Sequence, residues 1–321
     1  MHAPALPETW RRRAPRVLIA GREGQLAHAL LPAFEEAGWD AVALGRPNLD
    51  LAGPASGILE VVRTLRPLVV VNAAAWTAVD RAEDAPDAAM AVNRDGAAVL
   101  ATAAAACGAA MVHVSTDYVF DGTKGVPYTE EDAVAPLGVY GRSKLEGEWA
   151  VLDANPRAAV LRTSWVCSAT GQNFLRTMLR LAQQREEVSV VADQRGAPSF
   201  AEDLAAAILH MGGNLVDSGP GAPGFGIFHL AGAPDTTWHS FAMAIFEGAA
   251  RRGQRVPRLR PITTAEYPTR ARRPADSRLD CSRILAVHGI ARPGWRRGLD
   301  RALDQLLGPV PARPVRNHAE V

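Results

Sequence analysis

The sequence contains few cysteines, and its three cysteines lie far apart. Cys107, Cys167 and Cys281 form none of the close pairs that a structural zinc site or a disulfide scaffold needs. The eight histidines also lack the H-x-x-x-H spacing of a metal site. The sequence therefore predicts reduced thiols and no protein metal site. It leaves open a homodimer, and a Mg²⁺ ion held by carboxylates at a subunit contact.

The sequence also has little net charge and no long apolar run. The 35 basic and 34 acidic residues leave a net charge of +1, too little to attract nucleic acid or an anionic membrane. No segment approaches the roughly 20 consecutive apolar residues that span a bilayer, and no apolar signal core follows Arg11–Arg13. These absences predict a cytoplasmic protein whose partner is a small molecule, with neither nucleic acid nor a membrane as a partner.

Short apolar runs alternate with stretches of helical spacing through the first half of the chain. Strands are predicted at 16–21, 40–45, 68–73 and 110–115, and helices at 25–37, 54–65 and 86–107. This alternation requires right-handed crossovers and predicts an α/β fold with a doubly wound, Rossmann-type parallel sheet. In such a sheet, ligands bind beyond the carboxyl ends of the strands, so the chemistry is expected directly after each strand.

The second half is less regular. A helix at 140–154, a strand at 158–165 and a helix at 173–184 precede a mixture of short strands, helices and a Gly/Pro-rich loop at 212–226. This change predicts a smaller C-terminal substrate lobe, partly interleaved with the sheet domain. The predicted organisation is an N-terminal extension (1–15), a dinucleotide-binding domain (16–167), the substrate lobe (168–312) and a tail (313–321).

Two glycines mark the turn after the first predicted strand. Gly21 and Gly24 separate the strand R-V-L-I-A from a helix start, so backbone N–H groups and the positive helix end can face a pyrophosphate. Larger side chains there would block that approach. The alternative is an ordinary strand-to-helix turn.

The second strand ends without the acidic residue that binds the ribose hydroxyls of NADH in many dinucleotide folds. Arg46 stands there instead and can pair with the 2′-phosphate of NADPH; otherwise it is a solvated surface arginine. Asp50 and Leu51 are expected near the adenine end, and the small residues Ala74 and Ala75 would let the cofactor lie close. NADPH is the predicted cofactor, without excluding NADH.

Ser115-Thr116-Asp117 and the later Tyr140-Gly-Arg-Ser-Lys144 motif carry the predicted chemistry. A tyrosine and a lysine four residues apart share one helix face, and a nearby ammonium lowers the pKa of a phenol. Tyr140 would then donate the proton in a ketone reduction, while a hydroxyl, preferably that of Thr116, binds the carbonyl oxygen. The spacing by itself occurs on many solvated helices, but its place after the glycine turn favours catalysis.

The chain also resembles the extended short-chain dehydrogenases/reductases, and within them the dTDP-4-dehydrorhamnose reductase family. The resemblance covers nearly everything after residue 15. The matching segments are G-R-E-G-Q-L, V-N-A-A-A-W-T-A-V-D-R-A-E, S-T-D-Y-V-F-D-G, V-Y-G-R-S-K-L-E-G-E, R-T-S-W-V, G-Q-N-F, D-Q-R-G-A-P-S and R-A-R-R-P-A-D-S-R-L.

The resemblance implies further roles for individual residues. Tyr140 would be the general acid, Lys144 would orient the nicotinamide ribose, and Thr116 would bind the C4 carbonyl. Gln25 and Leu26 would line the pyrophosphate, and Ala74, Ala75 and Thr77 would lie near the adenosine half of the cofactor. Asp117 and Trp165 would touch the sugar, and Asn173 would help to hold the nucleotide diphosphate.

Other readings remain for the later residues. Trp165 taken by itself would more often be a core residue than a platform for the sugar. Arg272 and Arg273 can bind phosphate or form a solvated face.

The implied reaction is the NADPH-dependent reduction of dTDP-4-dehydro-β-L-rhamnose to dTDP-β-L-rhamnose, which feeds surface polysaccharide synthesis. Two alternatives stay open. One is a 4-ketoreductase or epimerase acting on another nucleotide deoxysugar, and the other is a non-catalytic regulatory subunit with a reductase fold.

Overall fold

The structure, a computed structural model, describes residues 14–311. Most of the predicted N-terminal extension and the whole predicted tail lie outside these residues. The helices of residues 14–311 include none that is long and apolar enough to cross a membrane.

Within residues 14–311, six parallel strands form the central sheet. The first five strands of the chain and the tenth make up this sheet, in the order β2-β1-β3-β4-β5 followed by β10. In chain order the strands are β1 Arg16–Ala20, β2 Asp40–Leu44, β3 Val69–Asn72, β4 Ala110–Thr116, β5 Ala158–Thr163, β6 Val166–Cys167, β7 Glu187–Val191, β8 Arg195–Gly196, β9 Ser199–Phe200, β10 Gly226–His229, β11 Thr236–Thr237 and β12 Arg258–Ile262. The predicted doubly wound parallel sheet is confirmed.

Helices cover both faces of the sheet. They are α1 Gln25–Glu36, α2 Ala55–Leu65, α3 Val79–Asp84, α4 Pro86–Met90, α5 Gly96–Ala106, α6 Val139–Ala154, α7 Phe174–Gln184, α8 Ala201–Val216, α9 Trp238–Arg251, α10 Ser282–His288 and α11 Trp295–Leu307. Alternate residues of β1 separate the two layers, because Val17 packs with α1 and α8 whereas Leu18 packs with α2 and α5. Strands buried on both faces explain the continuous apolar runs of the sequence.

The second half of the chain builds a separate apolar cluster while also completing the sheet. Leu175 of α7, Phe241 of α9 and Leu299 of α11 belong to this cluster, which lies apart from the two sheet layers. Strand β10, however, pairs with β5, and α8 packs on α1. The smaller lobe is thus interleaved with the sheet, and the boundary at 167/168 stays a prediction.

Two elements differ from the sequence-based expectation. The predicted helix at 86–107 contains a π-helical segment, Ala91–Asp95, between α4 and α5. Helix α8 continues to Val216, so the predicted loop at 212–226 begins later. Single-sequence periodicity cannot anticipate either feature, because both depend on packing against α6 and α1.

Candidate active site

A cleft of about 1110 Å³ opens beyond the carboxyl ends of the sheet strands. It lies at the switch point of the strand order, where β1 has β2 on one side and β3 on the other. Nearly every residue proposed from the sequence lines it: Gly21, Gly24, Gln25, Leu26, Arg46, Asp50, Leu51, Ala74, Ala75, Thr77, Thr116, Asp117, Tyr140, Lys144 and Trp165. Asn173 and the two arginines Arg272 and Arg273 do not line it.

The glycine turn fits a dinucleotide pyrophosphate. Gly21 has φ +113°, and a Cβ atom there would lie 2.8 Å from the backbone N of Ala74, so only glycine allows this close approach to the loop after β3. Gly24 precedes α1 without a side-chain cap, which leaves N–H groups of the first helical turn directed at the cleft. The turn therefore offers both the space and the donors that an anionic group requires.

Two arginines line the part of the cleft where the ribose of the cofactor is expected, and Glu23 lies 3.6 Å from the guanidinium of Arg22. Arg46 follows β2 and is exposed at the cleft, as the sequence suggested. Arg22, which sequence reasoning missed, lines the same region. Its backbone N–H donates to Leu44 O at 3.3 Å. Asp50 turns its carboxylate to the N–H of Ala52 at 3.0 Å.

The loop after β3 is held from behind by Asn93, a buried residue that sequence reasoning also missed. Asn93 accepts the backbone N–H of Trp76 at 2.8 Å and donates to Trp76 O at 3.2 Å and Ser143 Oγ at 2.9 Å. It lies in the π-helical segment, which packs so closely on α6 that a Cβ at Gly147 would be 2.0 Å from Asn93 O. This clamp positions the cleft wall formed by Ala74, Ala75 and Thr77.

Asn173 connects the glycine turn to the loop before α7. Its Nδ2 donates to Gln25 Oε1 at 2.7 Å and Ser168 O at 2.8 Å, while its Oδ1 accepts the N–H of Arg176 at 3.0 Å as the cap of α7. Because its amide is engaged in these contacts, Asn173 positions Gln25 rather than facing the cleft. The resemblance had implied a diphosphate contact, which remains a prediction.

Thr116 and Asp117 sit at the end of β4. Thr116 Oγ1 donates to Asp117 Oδ1 at 3.1 Å and accepts the N–H of Tyr118 at 3.2 Å. Asp117 is almost fully buried, and among residues 14–311 its Oδ2 has no hydrogen-bond partner. Burial raises the pKa of this carboxyl to about 7, although the hydroxyls of Ser277 and Thr116 work against the rise. An under-solvated carboxylate of this kind marks a functional-site candidate.

Tyr140 lies in the first turn of α6 and packs edge-on against Tyr118, with ring centroids 5.8 Å apart. Burial raises the pKa of Tyr140 to about 12, with a smaller opposing effect of the Thr116 hydroxyl and a small further rise from the Asp117 charge. The expectation that Lys144 lowers this pKa is wrong for the protein by itself. Tyr140 is thus a protonated phenol at neutral pH, the form that a proton donor needs.

Lys144 is buried beneath Tyr140, one helical turn along α6. Its Nζ donates to Val114 O at 2.7 Å and lies 3.4 Å from His113 Nε2. Burial lowers the pKa of Lys144 to about 8, whereas the nearby Glu148 carboxylate raises it. Because the ammonium is directed to β4, it does not act on the phenol in the way that the helical spacing suggested.

Trp165 has a left-handed backbone, with φ +47°, which is unusual for a bulky residue. Its ring stacks on Trp238 at 3.6 Å between centroids, and Phe174 packs against the other indole at 4.6 Å. All three line the cleft. Trp238 carries no motif in the sequence, so only the packing of α9 against α7 and the stacking on Trp165 could reveal it. Strain at Trp165 is consistent with a residue held for function.

Arg273, considered from the sequence as a phosphate ligand, is instead paired within the protein. Its guanidinium donates to both carboxylate oxygens of Asp80, at 2.8 and 3.2 Å, and to Ala271 O at 3.0 Å. Arg270 pairs with Asp84, which lies in α3 together with Asp80. These contacts tie the loop around residue 271 to α3, and they occupy Arg273. Arg272 is exposed beside the small cavity near Tyr140.

Comparisons with known proteins agree with this geometry. A protein family described as RmlD substrate binding domain matches residues 15–307. The dTDP-4-dehydrorhamnose reductase of Sinorhizobium fredii is 47% identical over 292 residues, which cover 91% of this chain and 98% of that protein. The enzyme of the same name from Escherichia coli K12 is 40% identical over 298 residues, covering 91% and 98%.

A solved structure gives the same picture. The crystal structure of dTDP-4-dehydrorhamnose reductase from Bacillus anthracis, in complex with NADP, superposes with a TM-score of 0.84 at 33% identity, covering 91% of this chain and 100% of that one. A Thermus thermophilus UDP-glucose 4-epimerase shares the fold at a TM-score of 0.74 and 20% identity, covering 91% and 99%. With the glycine turn, the Thr116–Tyr140–Lys144 group and these similarities together, the chain belongs to the dTDP-4-dehydrorhamnose reductase family.

Proposed function

We propose that this protein reduces the C4 keto group of dTDP-4-dehydro-β-L-rhamnose to the alcohol of dTDP-β-L-rhamnose, with NADPH as the reductant. The observation that carries the proposal is one continuous cleft with two chemically different ends. A glycine turn suited to a pyrophosphate lines one end, and the hydroxyls of Thr116 and Tyr140 line the other. The relatives that cover nearly the whole chain carry the name of this reaction.

The residues of the chain supply the proton and the orientation. A bound NADPH supplies the hydride that reaches C4 of the sugar. Tyr140 gives its phenolic proton to the carbonyl oxygen, which becomes the alcohol, and the resulting phenolate is reprotonated before the next turnover. Thr116 hydrogen-bonds the same oxygen and orients it toward Tyr140.

The remaining cleft residues bind the rest of the substrate and cofactor. Lys144 holds the nicotinamide ribose, and Trp165 with Trp238 forms a flat apolar wall for the sugar. Asp117 accepts hydrogen bonds from sugar hydroxyls, which would supply the partner that its Oδ2 lacks. A buried acceptor left without its partner discriminates strongly against a substrate that lacks the matching hydroxyl.

The positive charge of two arginines favours NADPH over NADH. Arg22 and Arg46 both line the part of the cleft where the ribose that carries the 2′-phosphate is expected. A guanidinium binds the 2′-phosphate of NADPH through charge-assisted hydrogen bonds, and NADH has no such group.

A turnover assay tests the proposal. Purified protein with NADPH and dTDP-4-dehydrorhamnose should consume NADPH in proportion to sugar reduced, and NMR of the product should show the rhamno configuration at C4. Another C4 configuration would identify a different ketoreductase, and sugar conversion without net NADPH loss would identify an epimerase. Cofactor binding without any conversion would support the regulatory subunit and refute the reductase.

A further inference from the structure

Two buried polar residues beneath Lys144 have no part in the reaction as described. His113 lies within β4 and Asn72 ends β3, at paired positions of adjacent strands, and solvent reaches almost nothing of either side chain. Asn72 Nδ2 lies 3.1 Å from His113 Nδ1, and His113 Nε2 lies 3.4 Å from Lys144 Nζ. The three side chains form a continuous polar row from the third strand to α6.

Asn72 fixes the direction in which hydrogen bonds are donated along this row. Its Oδ1 accepts the N–H of Ala74 at 3.2 Å, which leaves its Nδ2 to donate to His113 Nδ1. A neutral imidazole that accepts at Nδ1 carries its proton on Nε2. Burial, together with the Lys144 charge, holds the pKa of His113 well below its usual value, so the ring stays neutral.

The Nε2–H of His113 therefore points at Lys144 Nζ. An ammonium group has three hydrogens and no lone pair, so it cannot accept this hydrogen bond, whereas a neutral amine can. Lys144 Nζ donates one hydrogen bond, to Val114 O at 2.7 Å. On the side that faces His113, the arrangement favours the neutral amine.

The charged groups near Lys144 come from α6 itself and from strand β5. Glu148 lies one turn further along α6 and attracts the ammonium, but Arg162 of β5 binds both carboxylate oxygens of Glu148, at 2.7 to 3.1 Å. Ser115 of β4 also donates to Glu148. Tyr140, one turn before Lys144, is a neutral phenol at neutral pH. The net charge facing Lys144 is therefore small, and the dipole of the His113 N–H can affect its protonation.

We propose that His113, oriented by Asn72, is a positioning residue for Lys144: its Nε2–H opposes the ammonium form, so Lys144 exchanges its proton closer to neutral pH than burial by itself would allow. The inference rests on the role of Lys144 in the proposed function. A lysine ammonium gives a ribose hydroxyl a stronger, charge-assisted hydrogen bond than a neutral amine does, so the protonation of Lys144 affects how it holds the nicotinamide ribose. Replacement of either buried partner should therefore change the protonation of Lys144 as well as the packing.

The composition of the chain makes Lys144 directly observable. Lys124 and Lys144 are its only two lysines. Protein labelled with ¹³C at lysine Cε would give two NMR signals, which Lys124→Arg assigns, and the signal of Lys144 can then be followed from pH 6 to 11. We expect His113→Phe, which keeps a ring but removes the N–H, to raise the Lys144 midpoint by about one pH unit, the equivalent of one modest hydrogen bond.

His113→Gln is the matched control. Its amide can accept from Asn72 through Oε1 and still present an N–H to Lys144, so the midpoint should stay close to that of the wild type. The basic limb of the kcat profile should move to higher pH with Phe and remain in place with Gln. A purely structural role for His113 would lower stability in both variants without moving either pH measurement.

A measurement on the wild-type protein decides the case if His113→Phe does not fold. Long-range ¹H–¹⁵N spectra of the histidine rings distinguish the two neutral tautomers, and we expect the Nε2–H form at His113. An Nδ1–H ring, or an unchanged Lys144 midpoint in folded His113→Phe, would overturn the inference. Neither measurement uses the sugar substrate, so failure of the proposed reaction would leave these results interpretable.

Discussion

Replacement of Asp117 by asparagine should make the protein more resistant to unfolding at pH 8 than at pH 5, relative to the wild type. The side chain is only 2% exposed, and one of its oxygens has no hydrogen-bond partner within residues 14–311. Burial raises the pKa of the carboxyl from 3.8 to about 7. The folded protein therefore holds the proton of Asp117 more tightly than the unfolded chain does.

The sign and size of the effect follow from this pKa. The pKa of Asp117 is higher in the folded than in the unfolded state. The stability that protonation of Asp117 contributes is therefore fully present below pH 3.8 and is lost as the pH rises through about 7. Three pH units at 1.36 kcal/mol each amount to about 4 kcal/mol over the full titration. Between pH 5 and 8, about 2 to 3 kcal/mol of this should be lost by the wild type and not by Asp117→Asn.

Urea unfolding followed by tryptophan fluorescence at several pH values measures this difference. The comparison is between pH dependences, since the asparagine amide adds a pH-independent change of its own. Asp121→Asn is a suitable control because Asp121 accepts hydrogen bonds from Thr123 N–H and the Tyr128 hydroxyl, which keep its pKa low. That control should lose stability by the same amount at pH 5 and pH 8.

Parallel pH dependences for Asp117→Asn and the wild type would refute the reasoning. They would mean that Asp117 is ionised and fully compensated in the folded state. The expected result would instead identify Asp117 as a group that costs stability at the pH where the enzyme works, as residues kept for substrate binding often do.

Four further outcomes are expected. Tyr140→Phe should lower kcat by about 100-fold or more while leaving NADPH affinity unchanged in a binding titration, since it removes only the proton donor; an unaltered rate would exclude Tyr140 as the acid. Arg46→Ala and Arg22→Ala should each reduce kcat/KM for NADPH by about 10-fold or more with little change for NADH, and equal losses with both cofactors would remove these residues from 2′-phosphate binding. Gly21→Ala should abolish cofactor binding or folding, because φ +113° and the 2.8 Å approach to Ala74 exclude a Cβ, whereas Gly108→Ala, also at positive φ but in open space, should cost only modest stability. Glu148→Gln should lower the free energy of unfolding by about 3 to 5 kcal/mol because Arg162 would be left as a buried charge, while the exposed control Glu60→Gln should leave it nearly unchanged.

Local patterns in the sequence determined much of this protein. The alternation of apolar runs and helical stretches predicted the doubly wound sheet, because strands buried on both faces leave continuous runs of Val, Ile and Leu. The glycine turn and the Tyr140–Lys144 spacing could be recognised for a similar reason, since each lies within a few residues of chain. The family resemblance supplied the sugar, and similarity over most of the chain supports that assignment.

What the tertiary structure decided involves partners that are distant in sequence. Asn72 and His113 are 41 residues apart, and Asp80 and Arg273 are 193 apart. Strand pairing and the return of the chain from the smaller lobe bring them together, and no local pattern records such a contact. The same holds for the roles of Arg22, Asn93 and Trp238.

The pKa of Tyr140 shows the difference most clearly. From the sequence, the four-residue spacing placed an ammonium near the phenol and predicted a lowered pKa. In the folded protein Lys144 Nζ donates to Val114 O and lies beside His113, so burial dominates and the pKa of Tyr140 rises instead. The sequence thus determined which residues share a helix face, and only the tertiary structure decided which of their neighbours set their charge, because desolvation and hydrogen bonding depend on every element packed around them.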